Sequence, residues 1–106
     1  MAFADNLKQL PSIAHLRGLQ LLDAQGQAVA TLENKPGQAG SVAVYAALDE
    51  QFNGIHAEAA RHGLSLYAEH TADARLHPGK HPNIDRLIDV AEGKTGPFSV
   101  QRLMLA

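Results

Sequence analysis

The densest group of reactive side chains in this sequence lies in the stretch RLHPGKHPNID, residues 75–85. Arg75, His77, Lys80 and His81 occur there with no acidic residue between them, and an apolar pattern typical of a helix follows. The N–H groups and the dipole of a helix start favour a phosphate or carboxylate group. We therefore predict that Arg75, His77, Lys80 and His81 bind a small anionic ligand, with a stiff and solvated connector as the alternative.

A second group, Glu69, His70 and Asp73, has the residue types that acid–base catalysis needs. These residues lie at the end of a predicted strand, residues 64–70, where open α/β sheets tend to place their ligands. A histidine could act as a general base there, with a carboxylate to orient it. Glu69 and His70 are neighbours on that strand and should point to opposite faces. The alternative to a binding module is therefore a small enzyme that uses a His/carboxylate pair near residues 69–73.

Five of the six histidines fall between residues 56 and 81, which raises the question of a metal site. Imidazole nitrogen suits zinc, copper or nickel, and His70, His77 and His81 are the candidate ligands. Pro78 and Gly79 oppose the helix that would place His77 and His81 on one face. The spacing therefore favours histidines without a metal, and the sequence predicts no cofactor. A histidine-based metal-binding protein is a second alternative.

The first third of the chain predicts a short helix and a β-hairpin. Phe3, Leu7 and Leu10 recur at helical spacing over residues 3–10. Two apolar runs then flank a turn that contains glycine, which predicts antiparallel strands at residues 17–22 and 28–33. The buried face of this hairpin is predicted to contain Leu19, Leu21, Val29 and Thr31.

The rest of the chain predicts two helices, each followed by a strand. A helix capped by Ser41 covers residues 41–62, with Gly54 as a kink or a close approach and Gly63 as its end. A strand at 64–70, a helix at 83–92 capped by Asn83 and a strand at 98–105 follow. The predicted fold is one mixed α/β domain over residues 1–106, in the order α-β-β-α-β-α-β, with a four-stranded mixed sheet. An α+β arrangement is the alternative.

Composition excludes several classes of protein. A net charge of -2 gives no basic surface for nucleic acid. The absence of cysteine removes disulfides, thiolate metal sites and cysteine nucleophiles. The chain contains no long apolar run for a membrane, and its first ten residues do not resemble a signal peptide. We therefore expect a cytosolic, non-catalytic binding or interaction module. A small sheet leaves open edges, which predicts a two-fold homodimer.

Three segments, LRGLQLLD, HPGKHPNID and FSVQRLML, resemble a small family of uncharacterised bacterial proteins, a domain of unknown function. The resemblance covers nearly the full length of the chain. It implies a bacterial, cytosolic protein, and it implies no activity, cofactor or catalytic residue.

Overall fold

The computed structural model describes residues 2–105, which form helices packed on a small sheet. The elements in chain order are α1 (Phe3–Leu7), β1 (Leu16–Leu22), β2 (Ala28–Glu33), α2 (Ala39–Phe52), α3 (Ala57–Tyr67), α4 (Glu69–Leu76), α5 (Pro82–Ala91) and β3 (Ser99–Met104).

The sheet has three antiparallel strands in the order β2-β1-β3. The predicted hairpin is confirmed, and its turn is held by Asp23, whose Oδ1 accepts hydrogen bonds from the N–H groups of Gln25 and Gln27 at 2.9 Å each. Gly26 has a φ of +79°, which a side chain would disfavour. The last predicted strand is also present, and it pairs with β1 on the side opposite β2.

The inward face of β2 differs from the prediction. Ala30 and Leu32 pair with the core residues of β1, whereas Val29 is 48% exposed. The register shifts between Leu21 and Leu22, which lie opposite Ala30 and Ala28. Strand side chains alternate between faces, so Val29 and Thr31 lie on the side away from the core. Their predicted burial was wrong.

The predicted 41–62 helix is interrupted at residues 53–56. Asn53 is left-handed at φ +57° and Gly54 has a φ of +125°, so the helix cannot continue through them. Ile55 then makes two backbone hydrogen bonds with Phe98, at 2.8 and 3.0 Å. A Cβ on Gly54 would lie 3.3 Å from the Phe98 oxygen. Gly54 therefore serves both as a break and as a point of close approach.

The predicted strand at 64–70 is wrong, because those residues are helical. Ala60, Leu64 and Tyr67 are buried at helical spacing, and α3 continues to Tyr67. Ala68, at φ +53°, separates α3 from α4. The sheet consequently has three strands instead of the predicted four, and the order is α-β-β-α-α-α-α-β.

Gly63 lies inside α3 and does not end a helix as predicted. A Cβ at this position would lie 2.8 Å from both Leu48 Cδ1 and Leu87 Cδ1. The absence of a side chain therefore allows α2, α3 and α5 to approach one another closely.

The core lies between the sheet and the helices. α2 packs against all three strands, and α3 packs against both α2 and α5. Leu19, Leu21, Tyr45 and Leu48 are fully buried there. Helices on an antiparallel sheet make an α+β arrangement, the alternative that the sequence left open. None of the helices within residues 2–105 has the length and apolar character needed to cross a membrane.

Candidate functional site

A cleft of about 400 Å³ lies beside α1, at the starts of α2 and α5. Four segments far apart in sequence form its walls. The residues that line it are Phe3, Leu7, Gly37, Ala39, Gly40, Ser41, Tyr67, His70, Lys80, His81, Pro82, Asn83 and Ile84.

The start of α2 opens into this cleft. α2 begins at Ala39, so Ser41 lies within its first turn and does not cap it as predicted. The Ser41 Oγ instead accepts a hydrogen bond from the Tyr67 hydroxyl at 2.6 Å. Within residues 2–105, the N–H groups of Gly40 and Ser41 have no backbone acceptor, as expected for the first turn of a helix.

The start of α5 lines another part of the same cleft. Its N-cap is His81 and its first residue is Pro82, so the predicted cap at Asn83 was two residues too late. The N–H groups of Ile84 and Asp85 both donate to the His81 carbonyl. The Asn83 N–H has no backbone acceptor among the described residues. Both helices therefore begin at one cavity, and each has first-turn N–H groups without a backbone acceptor among the described residues.

Asp73 connects three of the predicted ligand-binding side chains. Its Oδ2 accepts from His81 Nε2 at 2.6 Å and from Lys80 Nζ at 2.9 Å, and its Oδ1 lies 3.8 Å from His77 Nε2. Hydrogen bonds from His81 and Lys80 lower the pKa of Asp73 to about 2. Asp73 is therefore ionised at neutral pH, and it fixes the positions of Lys80 and His81 at the edge of the cleft.

The predicted catalytic residues lie on α4 and not at the end of a strand. The Glu69 carboxylate accepts the Phe3 N–H at 2.8 Å, and this bond lowers the pKa of Glu69. His70 lines the cleft, and its ring centroid lies 5.9 Å from that of His81. The closest His/carboxylate contact in this region joins His81 to Asp73, eight residues away in sequence.

Arg75 lies exposed in the last turn of α4, outside the set of residues that line the cleft. His77 is also exposed, and its contact is with Asp73. The structure therefore brings Lys80 and His81 to the cleft and leaves Arg75 and His77 outside it.

The histidines were also candidates for a metal site. Across residues 2–105, no group of three or more His, Asp or Glu side chains is placed to hold a metal ion. His81 uses its Nε2 for Asp73, and the His70 ring packs edge-on against Phe3 with centroids 5.1 Å apart.

Aromatic side chains form the apolar wall of the cleft. Phe3 stacks on Tyr67 with ring centroids 5.1 Å apart. A Cβ on Gly40 would lie 3.2 Å from Phe3 Cζ, so the Phe3 ring rests on the start of α2. The wall therefore lies directly beside the N–H groups of α2.

Two buried tyrosines form hydrogen bonds with the first turns of α2 and α5. The Tyr45 hydroxyl donates to the Asn83 carbonyl at 2.6 Å, as the Tyr67 hydroxyl does to Ser41. Burial raises the pKa of Tyr45 to about 12, and burial raises that of Tyr67 as well. Both hydroxyls therefore stay protonated and act as hydrogen-bond donors.

The model of a bacterial family, described as an uncharacterized protein conserved in bacteria (DUF2322), matches residues 3–101. The chain belongs to this family. The match spans α1 to the middle of β3, so every residue that lines the cleft lies inside the DUF2322 domain. Neither a curated protein nor a solved structure matches the chain. The sequence resemblance to an uncharacterised bacterial family is thus confirmed, and the family description names no activity.

The sequence missed the part that α1 and α3 play in the site. Phe3 and Tyr67 were assigned to a short end helix and a strand, which gave no reason to place them together. Pro82 was a usable signal, since proline is common at the first helical position and would have predicted that α5 begins at Pro82 with His81 as its N-cap.

Proposed function

We propose that this protein is a small, cytosolic, non-catalytic binding module that takes an anionic ligand in the cleft. One observation carries the proposal: the first turns of α2 and α5 and the side chains of Lys80 and His81 line a single cavity. Helix starts, ammonium groups and imidazoles all favour a phosphate or carboxylate.

The charges at the cleft support a site of modest affinity. Asp73 offsets the charge of Lys80, with which it is paired at 2.9 Å. Since His81 is also bonded to Asp73, at 2.6 Å, the N–H groups of Gly40, Ser41 and Asn83 supply much of the attraction. Lys80 is 58% exposed, so its contribution is screened by water and salt.

Phosphate binding to Lys80→Gln/His81→Gln tests this proposal. Inorganic phosphate should raise the melting temperature of the wild-type protein in a saturable way, because it binds the native state. The double variant loses two donors to the anion, and because Lys80 is exposed and its charge is screened, it should bind phosphate about tenfold more weakly. Thermal shift and calorimetry at constant ionic strength measure both effects.

Lys94→Gln/His15→Gln is the matched control, since both residues are exposed and lie outside the cleft. It should bind phosphate as the wild type does. A phosphate effect of equal size in both double variants would show that the anion acts elsewhere, and the proposed site would then be rejected.

The second candidate function is a small enzyme, and the Asp73–His81 contact favours it. A carboxylate 2.6 Å from His81 Nε2 would orient the ring and leave Nδ1 as the second nitrogen for proton transfer. His70 lines the same cleft and would be a second proton carrier. We place this function second because Asp73 Oδ2 is shared with Lys80, an arrangement that also serves simply to hold the loop.

A further inference from the structure

The volume of the cleft exceeds what an anion alone would fill. One water takes about 30 Å³ of liquid volume, so the five heavy atoms of phosphate fill no more than about 150 Å³. The cleft measures about 400 Å³, within the size range of pockets that hold small organic molecules. More than half of the space would remain beside a bound phosphate.

The walls of that remaining space are apolar. Phe3, Leu7, Tyr67 and Ile84 line the cleft together with Lys80, His81 and the first turns of α2 and α5. Tyr67 and Ile84 are buried, while Phe3 and Leu7 are half-buried and still have surface available for contact. The two chemical characters are adjacent, because the Phe3 ring rests against Gly40 at the start of α2.

We propose that the ligand is an amphiphilic anion, in which one phosphate or carboxylate group is joined to a flat aromatic or short apolar body. This inference rests on the proposed function and specifies its ligand class. The anionic group lies near Lys80 and the first turns of α2 and α5. The apolar body lies on Phe3 and Leu7, where it displaces water from the exposed part of the wall.

The ring of Phe3 favours a planar apolar group in the ligand. Aromatic pairs favour stacked or edge-on contacts, and Phe3 already makes one of each, with Tyr67 and His70. A planar ligand can add to this group at the surface of Phe3 that faces the cleft. A long flexible chain would lose more conformational entropy on binding in the same space.

The test compares inorganic phosphate, phenyl phosphate, benzoate and phenol by calorimetry on the wild-type protein. Burying a phenyl group should make phenyl phosphate bind about 10- to 100-fold more tightly than inorganic phosphate. Phenol lacks the anionic group and should bind far more weakly than phenyl phosphate. Benzoate binding as tightly as phenyl phosphate would support the same inference with a carboxylate as the anionic group.

Phe3→Leu should remove most of the gain from the phenyl group and leave the affinity for inorganic phosphate within about twofold. Because Phe3 also packs on Tyr67, a second measurement uses the unaltered protein: nuclear Overhauser contacts from the phenyl protons of bound phenyl phosphate to Phe3 and Leu7. Absence of these contacts in a phenyl phosphate complex would overturn the inference.

The outcomes separate the two proposals. Equal affinity for phosphate and phenyl phosphate would overturn the amphiphilic ligand while the anion site stands. Phenol binding as tightly as phenyl phosphate would also overturn it, because the anionic group would then contribute nothing. No binding of any of the anions would reject the proposed function and, with it, the proposed ligand class.

Discussion

Asp73 shows how one residue can organise a loop whose sequence contains no acidic group. No acidic residue lies between Arg75 and His81 in sequence, but α4 places the Asp73 carboxylate within hydrogen-bond distance of Lys80 and His81. Gly79, at φ +92°, donates its N–H to Asp85 at 2.8 Å, so the loop is fixed at a second point. The connector and the proposed ligand site thus share the same residues, because the bonds that hold the loop also position Lys80 and His81.

Asp73→Asn should destabilise the protein in a pH-dependent way. The pKa of Asp73 is about 2 in the folded protein, below its ordinary value of 3.8. Its stabilising contribution is therefore complete above about pH 4 and is lost as the pH falls through the folded-state pKa. Urea unfolding of wild type and variant from pH 7 to pH 2 should show a free-energy difference that is constant above about pH 4 and shrinks as the pH falls toward 2. Asp5→Asn, an exposed carboxylate on α1, serves as the control. A difference independent of pH would contradict the role given to Asp73.

At the level of the elements, the packing of three helices depends on Gly63. An alanine there would favour the helix by about 1 kcal/mol, but overpacking of a core costs about 1–3 kcal/mol. Its Cβ would press on Leu48 and Leu87, both fully buried, so we expect Gly63→Ala to lower the free energy of unfolding by about 1 kcal/mol. Chemical denaturation measures this change. Ser65→Ala, exposed on the same helix, should be neutral or slightly stabilising, and a gain in both variants would show that the core at Gly63 can expand.

Some of the helices and strands could be predicted from sequence patterns alone. The hairpin was predictable because alternating residues and a glycine turn are local signals, and the helix at 83–92 was predictable from its apolar stripe. The strand prediction for LSLYAEH failed because seven residues fit a period of two as well as a period of 3.6. Only the buried Ala60 and Gly63 before this segment indicate a helix. The interruption at Gly54 depends on Phe98, a partner distant in sequence. The cleft could not be predicted, since it requires α1 and α3 to be placed correctly first.

For the whole molecule, the homodimer expected from sequence stays a proposal, and the edge strands of the sheet are where it would form. β3 is an edge strand without proline, and its one charged side chain, Arg102, is bonded to Asp49 of α2 at 2.8 Å. Met104, the last residue of β3, and Leu105 after it are 55% and 58% exposed. Charges and prolines normally protect such edges from pairing. We therefore propose that β3 pairs with β3 of a second copy about a two-fold axis.

Light scattering should give a mass near twice 11.3 kDa at high concentration. Met104→Lys/Leu105→Lys should shift the protein to a monomer, because charges on an edge strand oppose pairing. Val29→Lys, on the other edge strand, is the control and should remain dimeric. A wild-type mass of 11.3 kDa at every concentration would refute the dimer.

The central position of β1 has a consequence for the order of folding. β1 forms its hairpin with β2 early, through contacts close in sequence, but its other side is paired by β3, which follows all five helices. Pairing of distant segments is slow because the long intervening chain must be closed first. A nascent chain that has left the ribosome only as far as α5 would therefore keep one side of β1 open to other chains. Docking of β3 is the step that closes this side of β1 to other chains during synthesis.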